Sequence, residues 1–158
     1  MKYFRIGSEN NGNVLPHIKN WMEKIDYHSI QTGDILKLPN RTLLYVENHQ
    51  ETVFADILET PFFLVSDMVW KVMKQYEENI RGKQIVLLDD IYGIVKIYHI
   101  PILMGYEARI PFFQEKSNGK NSMIGRLDFV ESILRRGAKG LRLQEIQVGG
   151  TRYESEKL

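Results

Sequence analysis

The alternation of apolar and polar residues changes period several times along the chain, and each change marks an element. Tyr3, Phe4, Arg5 and Ile6 predict a short strand, broken by the Asn-Asn-Gly-Asn run at 10–13. Residues 16–24 predict one or two helical turns presenting Ile18, Trp21 and Met22. After the Gly33-Asp34 turn, residues 35–38 and 42–46 predict two strands around Pro39, Asn40 and Arg41, with a third candidate at 53–58. Together they suggest a small antiparallel meander, turning at Pro-Asn and at Asn-His-Gln.

The strongest helical pattern lies at 67–78. Val69, Val72, Met73 and Tyr76 recur at i, i+3, i+4 and i+7 and form one apolar stripe. Ser66 is placed to cap the helix, Asp67 suits the positive end of its dipole, and Asn79 and Gly82 end it. Lys83 to Leu88 predicts a strand whose run Ile85, Val86, Leu87, Leu88 implies burial on both faces. Asp89 and Asp90 close it, Gly93 permits a tight return, and residues 95–100 pair back, with Pro101 confining that arm to an edge or a strand end. The polar run at 115–122 predicts a mobile loop. A second helix is predicted over 129–136, with Asp128 and Glu131 at capping-box spacing and Gly137 just beyond its end. In the final strand, 141–148, apolar positions shift from odd (Leu141, Leu143) to even (Ile146, Val148), as a bulge near Glu145 would produce. Gly149, Gly150 and the charged residues 151–158 predict a frayed tail to a single domain over 1–150. Strands, helix, hairpin, short helix, strand is not a regular β-α alternation, so the expected class is α+β, a mixed or antiparallel sheet with two principal helices.

Composition adds exclusions. The chain has 158 residues and no cysteine, which removes disulfides, thiolate catalysis and cysteine-ligated zinc together. A charged beginning without an apolar stretch after it predicts no secretory signal, and the apolar runs are far shorter than a membrane helix, so a cytoplasmic location away from membranes is expected. The net charge of +1 gives no global pull toward nucleic acid. The basic residues Arg126, Arg135, Arg136, Lys139 and Arg142 lack the interleaved aromatics of a nucleic-acid site.

Catalytic signatures are missing. His17, His28, His49 and His99 have no i, i+4 partner, and no phosphate loop or nucleophile elbow is present. Neither a metal nor a cofactor is expected, and no catalytic residue is nominated. Asp89-Asp90 is the most suggestive acidic feature, because ligands often bind at strand ends in α/β proteins. Adjacent residues of an extended chain point opposite ways, however, and turn initiation accounts for the pair better.

Three blocks carry a resemblance: TPFFLVSD at 60–67, KQIVLLD at 83–89 and RLDFVESILRRGAKGL at 126–141. In that order they resemble a group of small bacterial proteins and, more distantly, the eleventh polymorphic-toxin immunity family. There a Leu-(Val/Ile)-Ser-Asp/Glu helix start is followed by a strand pair and a late helix ending in glycine. The stretch between Ile102 and Met123 looks shorter here than in that family. The resemblance implies a non-enzymatic protein that occludes a toxin partner, with no catalytic residues to carry over. Candidate contact residues for such a partner are Trp21, Asp89, Asp90 and Tyr92. The rival expectations are a small hydrolase with a site assembled from scattered residues, or a subunit of a larger assembly.

Overall fold

The computed structural model describes residues 1–9, 14–47, 51–117 and 120–148. The expected breaks at 10–13 and 48–50, and the tail from Gly149 onward, lie outside the described residues. The fold is α+β, with ten strands in two sheets and three α-helices among the described residues.

Strand β1 (Tyr3–Ser8) lies inside a four-stranded antiparallel sheet, between β10 (Leu141–Ile146) and β9 (Lys120–Arg126), with β8 (Phe112–Ser117) at the far edge. The second sheet has six strands in the order β2 (His17–Lys19), β3 (Arg41–Glu47), β6 (Gly82–Asp89), β7 (Ile94–Pro101), β5 (Leu64–Ser66), β4 (Ile57–Leu58). Its β3–β6 pair is parallel and its other pairs are antiparallel.

Helices α2 (Asp67–Tyr76) and α3 (Leu127–Arg135) share one core with the four-stranded sheet. Val69, Val72 and Met73 of α2 and Phe129, Val130 and Ile133 of α3 are buried there with Ile6, Phe112 and Met123. Ser66 caps α2 as expected, its Oγ accepting from the Val69 N–H at 3.3 Å, and Asp56 anchors the same hydroxyl at 2.6 Å. Gly125 faces this core, where an added Cβ would lie 2.8 Å from Ile6 and 3.0 Å from Phe129, so only glycine fits without a shift. A second core lies under the six-stranded sheet, around Ile30, Leu44, Leu64, Ile85, Leu87 and Tyr98.

Several local expectations are corrected. Residues 35–37 form a 3-10 turn rather than a strand, and β3 finds its neighbours in β2 and β6, so no meander forms. A five-residue helix, α1 (Tyr27–Gln31), precedes that turn, while His17–Lys19 is a strand and Trp21–Glu23 a 3-10 turn. Within 53–58 only Ile57–Leu58 is a strand. Helix α2 stops at Tyr76.

Residues 115–117 and 120–122 of the expected loop are strand, and 118–119 lie outside the described residues. The two strand segments belong to the arms of the β8–β9 hairpin, paired from Phe112↔Gly125 to Ser117↔Lys120. The ladder satisfies the backbone there, and Glu115 is fixed by Arg5 at 2.7 Å. No capping box starts α3: its N-cap is Arg126, whose guanidinium holds Asp128, and Asp128 accepts from the Phe129 N–H. No bulge interrupts β10, which pairs one-to-one with β1 from Tyr3↔Ile146 to Ser8↔Leu141. The apolar shift arises because Leu141 and Leu143 join the helix core while Ile146 joins Tyr3, Phe113 and Ile124 in a separate cluster. Gly137 does end α3, with φ at +81°, and the Ala138 N–H reaches the Ile133 carbonyl at 3.1 Å in a Schellman closure.

A candidate partner-binding face on the six-stranded sheet

Strand alternation builds the site. On β3, Thr42, Leu44 and Val46 point into the core, so Arg41, Leu43, Tyr45 and Glu47 point out. On β6 the buried set is Lys83, Ile85, Leu87 and Asp89, which leaves Gln84, Val86 and Leu88 on the outer face, half-buried. The continuous run of β6 is thus fully covered on one face only, against the expectation of burial on both.

Register then assembles these outward positions into rows. Leu43 pairs with Val86 and Val86 with Ile97, giving one row across three strands. Tyr45 pairs with Leu88 and Leu88 with Val95, giving the next. Val95 is 55% exposed, Tyr45 40%, Ile97 39% and Leu43 37%. A one-sided antiparallel sheet ordinarily turns polar residues to water. Two adjacent rows of aliphatic and aromatic side chains in the middle of a sheet are the kind of patch that marks an interaction site.

Charged groups frame the patch. Lys19 is the β2 neighbour of Tyr45. The Lys24 ammonium donates to the Leu43 carbonyl at 2.8 Å and lies 5.7 Å from the centre of the Tyr45 ring. Arg41 donates to Gln84 at one end of β3, and Glu47 meets His17 at 3.7 Å at the other.

Beyond Ile97 the face is closed by α2. His99 pairs with Gln84 and stacks under Trp70, the ring centres 4.8 Å apart and the planes 12° from parallel. Its Nε2 lies 2.9 Å from Asp67 Oδ1, and Lys71 reaches Asp67 Oδ2 at 3.0 Å. Burial holds the His99 pKa below its ordinary value of 6.5, outweighing the Asp67 carboxylate, which favours the charged ring. Burial also raises the Asp67 pKa, but the hydrogen bonds from His99 and Lys71 outweigh it and the net shift is downward. The neutral His99 ring therefore donates its Nε2–H to the Asp67 carboxylate. Both depressed values have the same consequence. The unfolded chain takes up protons first as pH falls, so stability is full above 6.5 and declines below it, His99 acting before Asp67. Urea unfolding midpoints should fall between neutral and mildly acidic pH, and His99→Gln should flatten that decline. An unchanged decline in the variant would remove His99 as its source.

The four nominated contact residues do not gather at one point. Asp89 is 1% exposed, and its Oδ1 accepts from the N–H groups of Ile91 at 2.9 Å and Tyr92 at 3.2 Å. It initiates the β6–β7 turn and offers no carboxylate to a partner. Asp90 and Tyr92 are exposed on that turn, next to the end of the apolar rows. Trp21 is half-buried on the other core, edge-on to Tyr27 and Phe62. The residues that sequence reasoning missed are Leu43, Tyr45, Val86, Leu88, Val95 and Ile97. The signal for them was the unbroken apolar run of β6, whose second face demands a cover that the described residues only partly supply.

A cavity of about 280 Å³ lies between the C-terminal end of α2 and the segment 102–112. Its lining includes the apolar Ile80, Ile102, Leu103 and Phe112 and the charged Glu77, Arg81 and Glu107. The lining holds no His, Ser, Thr or Tyr, and its acidic side chains are Glu77 and Glu107. Among the described residues no group of three or more His, Asp or Glu side chains is placed to hold a metal ion, and no helix is long and apolar enough to cross a membrane. Compared with known proteins, the chain matches no family model, no curated protein and no solved structure at a significant level.

Proposed function

We propose that this chain works by binding a protein, and that the open face of the six-stranded sheet is its binding surface. The observation that carries this reading is the pair of apolar rows, Leu43–Val86–Ile97 and Tyr45–Leu88–Val95, exposed at their flanks and half-buried at their centres, lying between charged rims. An apolar centre with a polar rim is how protein interfaces are built, and flat aliphatic surface has little other use in water. The resemblance of the blocks at 60–67, 83–89 and 126–141 to a toxin-immunity family supports a more specific version. In it a bacterial cytoplasmic protein covers the working surface of a toxin and blocks it sterically. The block at 83–89 is β6 itself, the central strand of the face.

Co-purification with a toxin domain encoded beside this chain tests the proposal. Ile97→Glu places a charge at the centre of the face and should weaken binding by about a hundredfold, as loss of a central hot spot does. Leu134→Glu, on the exposed side of α3, should leave it unchanged. Binding that ignores Ile97→Glu but fails with Leu134→Glu would move the surface elsewhere.

A further inference from the structure

The outward residues of β3 read cation, apolar, apolar, anion: Arg41, Leu43, Tyr45 and Glu47, all exposed. That order is complementary to its own reverse. We propose that, when no other partner is bound, this face pairs with the same face of a second copy of the chain, the two β3 strands running antiparallel about a two-fold axis. The inference rests on reading the face as a protein-binding surface and names a second occupant for it.

The charges select the orientation. With the strands antiparallel, Arg41 of each copy faces Glu47 of the other, and the contact is isologous, so both pairs form at once. With the strands parallel, Arg41 would face Arg41 and Glu47 would face Glu47, which is repulsive. The antiparallel arrangement also lays one apolar row on the other, because Leu43 then meets Tyr45 of the second copy, Val86 meets Leu88 and Ile97 meets Val95. Sheets packed face to face leave about 10 Å between backbones, a gap that facing aliphatic and tyrosine side chains fill. Lys19 and Lys24 sit at the β2 border, where the second copy presents the same two lysines. They work against pairing and keep it weak enough to yield to a tighter partner. Helix α2, held on His99 through Trp70, stands beyond the apolar rows at one end and leaves them uncovered.

Sedimentation velocity of the whole chain over a concentration series tests this directly. The expected result is a reversible monomer–dimer equilibrium that Ile97→Glu abolishes without changing the circular dichroism spectrum. Arg41→Glu alone and Glu47→Arg alone should each weaken the dimer by about tenfold, since each converts two rim attractions into repulsions. The double variant carrying both reversals should restore it. A chain that is monomeric throughout, a dimer indifferent to Ile97→Glu, or a double variant no better than the singles would each overturn the pairing. None of these outcomes bears on toxin binding, which is read separately by co-purification.

Discussion

Phe129→Ala should lower the unfolding free energy by about 3–5 kcal/mol, the range for removing a buried phenylalanine. The ring is fully buried and joins three elements. It meets Phe112 of β8 with ring centres 5.0 Å apart and Tyr76 of α2 edge-on at 5.7 Å, and it packs over Gly125 of β9. Truncation loses the transfer energy of the ring and leaves a void that three anchored elements cannot close. Phe129→Leu should cost much less, because it keeps most of the volume. Urea titration of both variants, with slopes equal to that of the parent chain, checks the prediction. A midpoint for Phe129→Ala close to that of the parent would show that this core repacks freely.

Asp89→Ala should cost about 1.5–3 kcal/mol, while its neighbour's replacement, Asp90→Ala, should stay within about 0.5 kcal/mol of the parent. The two residues are adjacent in sequence and opposite in circumstance. Asp89 is buried at the end of β6 and accepts two turn N–H groups, which alanine would leave without their acceptor. Asp90 is exposed on the turn. Asp89→Asn keeps an acceptor oxygen and should recover part of the loss. Equal effects at the two positions in thermal or urea unfolding would show that the turn does not depend on the Asp89 carboxylate.

That contrast shows what was legible in the sequence. Features whose causes are local were readable: the Ser66 cap and apolar stripe of α2, the left-handed Gly137 that ends α3, and the tight β6–β7 return at Gly93, where φ is +68°. Asp89 as a turn residue was readable for the same reason, since its partners lie two and three residues on. Helix α1 was missed because five residues are too few to show a period, even though Asp26 caps it by accepting from the His28 N–H. The β8–β9 hairpin was missed because its polar residues describe the solvent side of a ladder as well as they describe a loop. The parallel pairing of β3 with β6 depends on contacts far apart in sequence. The open face was hidden for a different reason. An apolar run shows that side chains avoid water, but not whether the chain itself supplies the cover, so β6 reads alike whether its outer face is packed or bare.

The placement of β1 has a consequence for how the molecule is made. All strands of the six-stranded sheet come from one continuous stretch, His17 to Pro101. That sheet can therefore assemble on the ribosome as soon as this stretch emerges. Strand β1 leaves the ribosome before any of it, yet both of its neighbours, β9 and β10, are the last two of the ten strands in chain order. Until β9 emerges its two edges stay unpaired and the core around Ile6 lacks Met123 and the side chains of α3, a condition that invites pairing with other nascent chains. Closing the four-stranded sheet is a late, long-range event, and contacts of that separation set the pace of folding. The first of these ten strands to be made is thus among the last to find its neighbours.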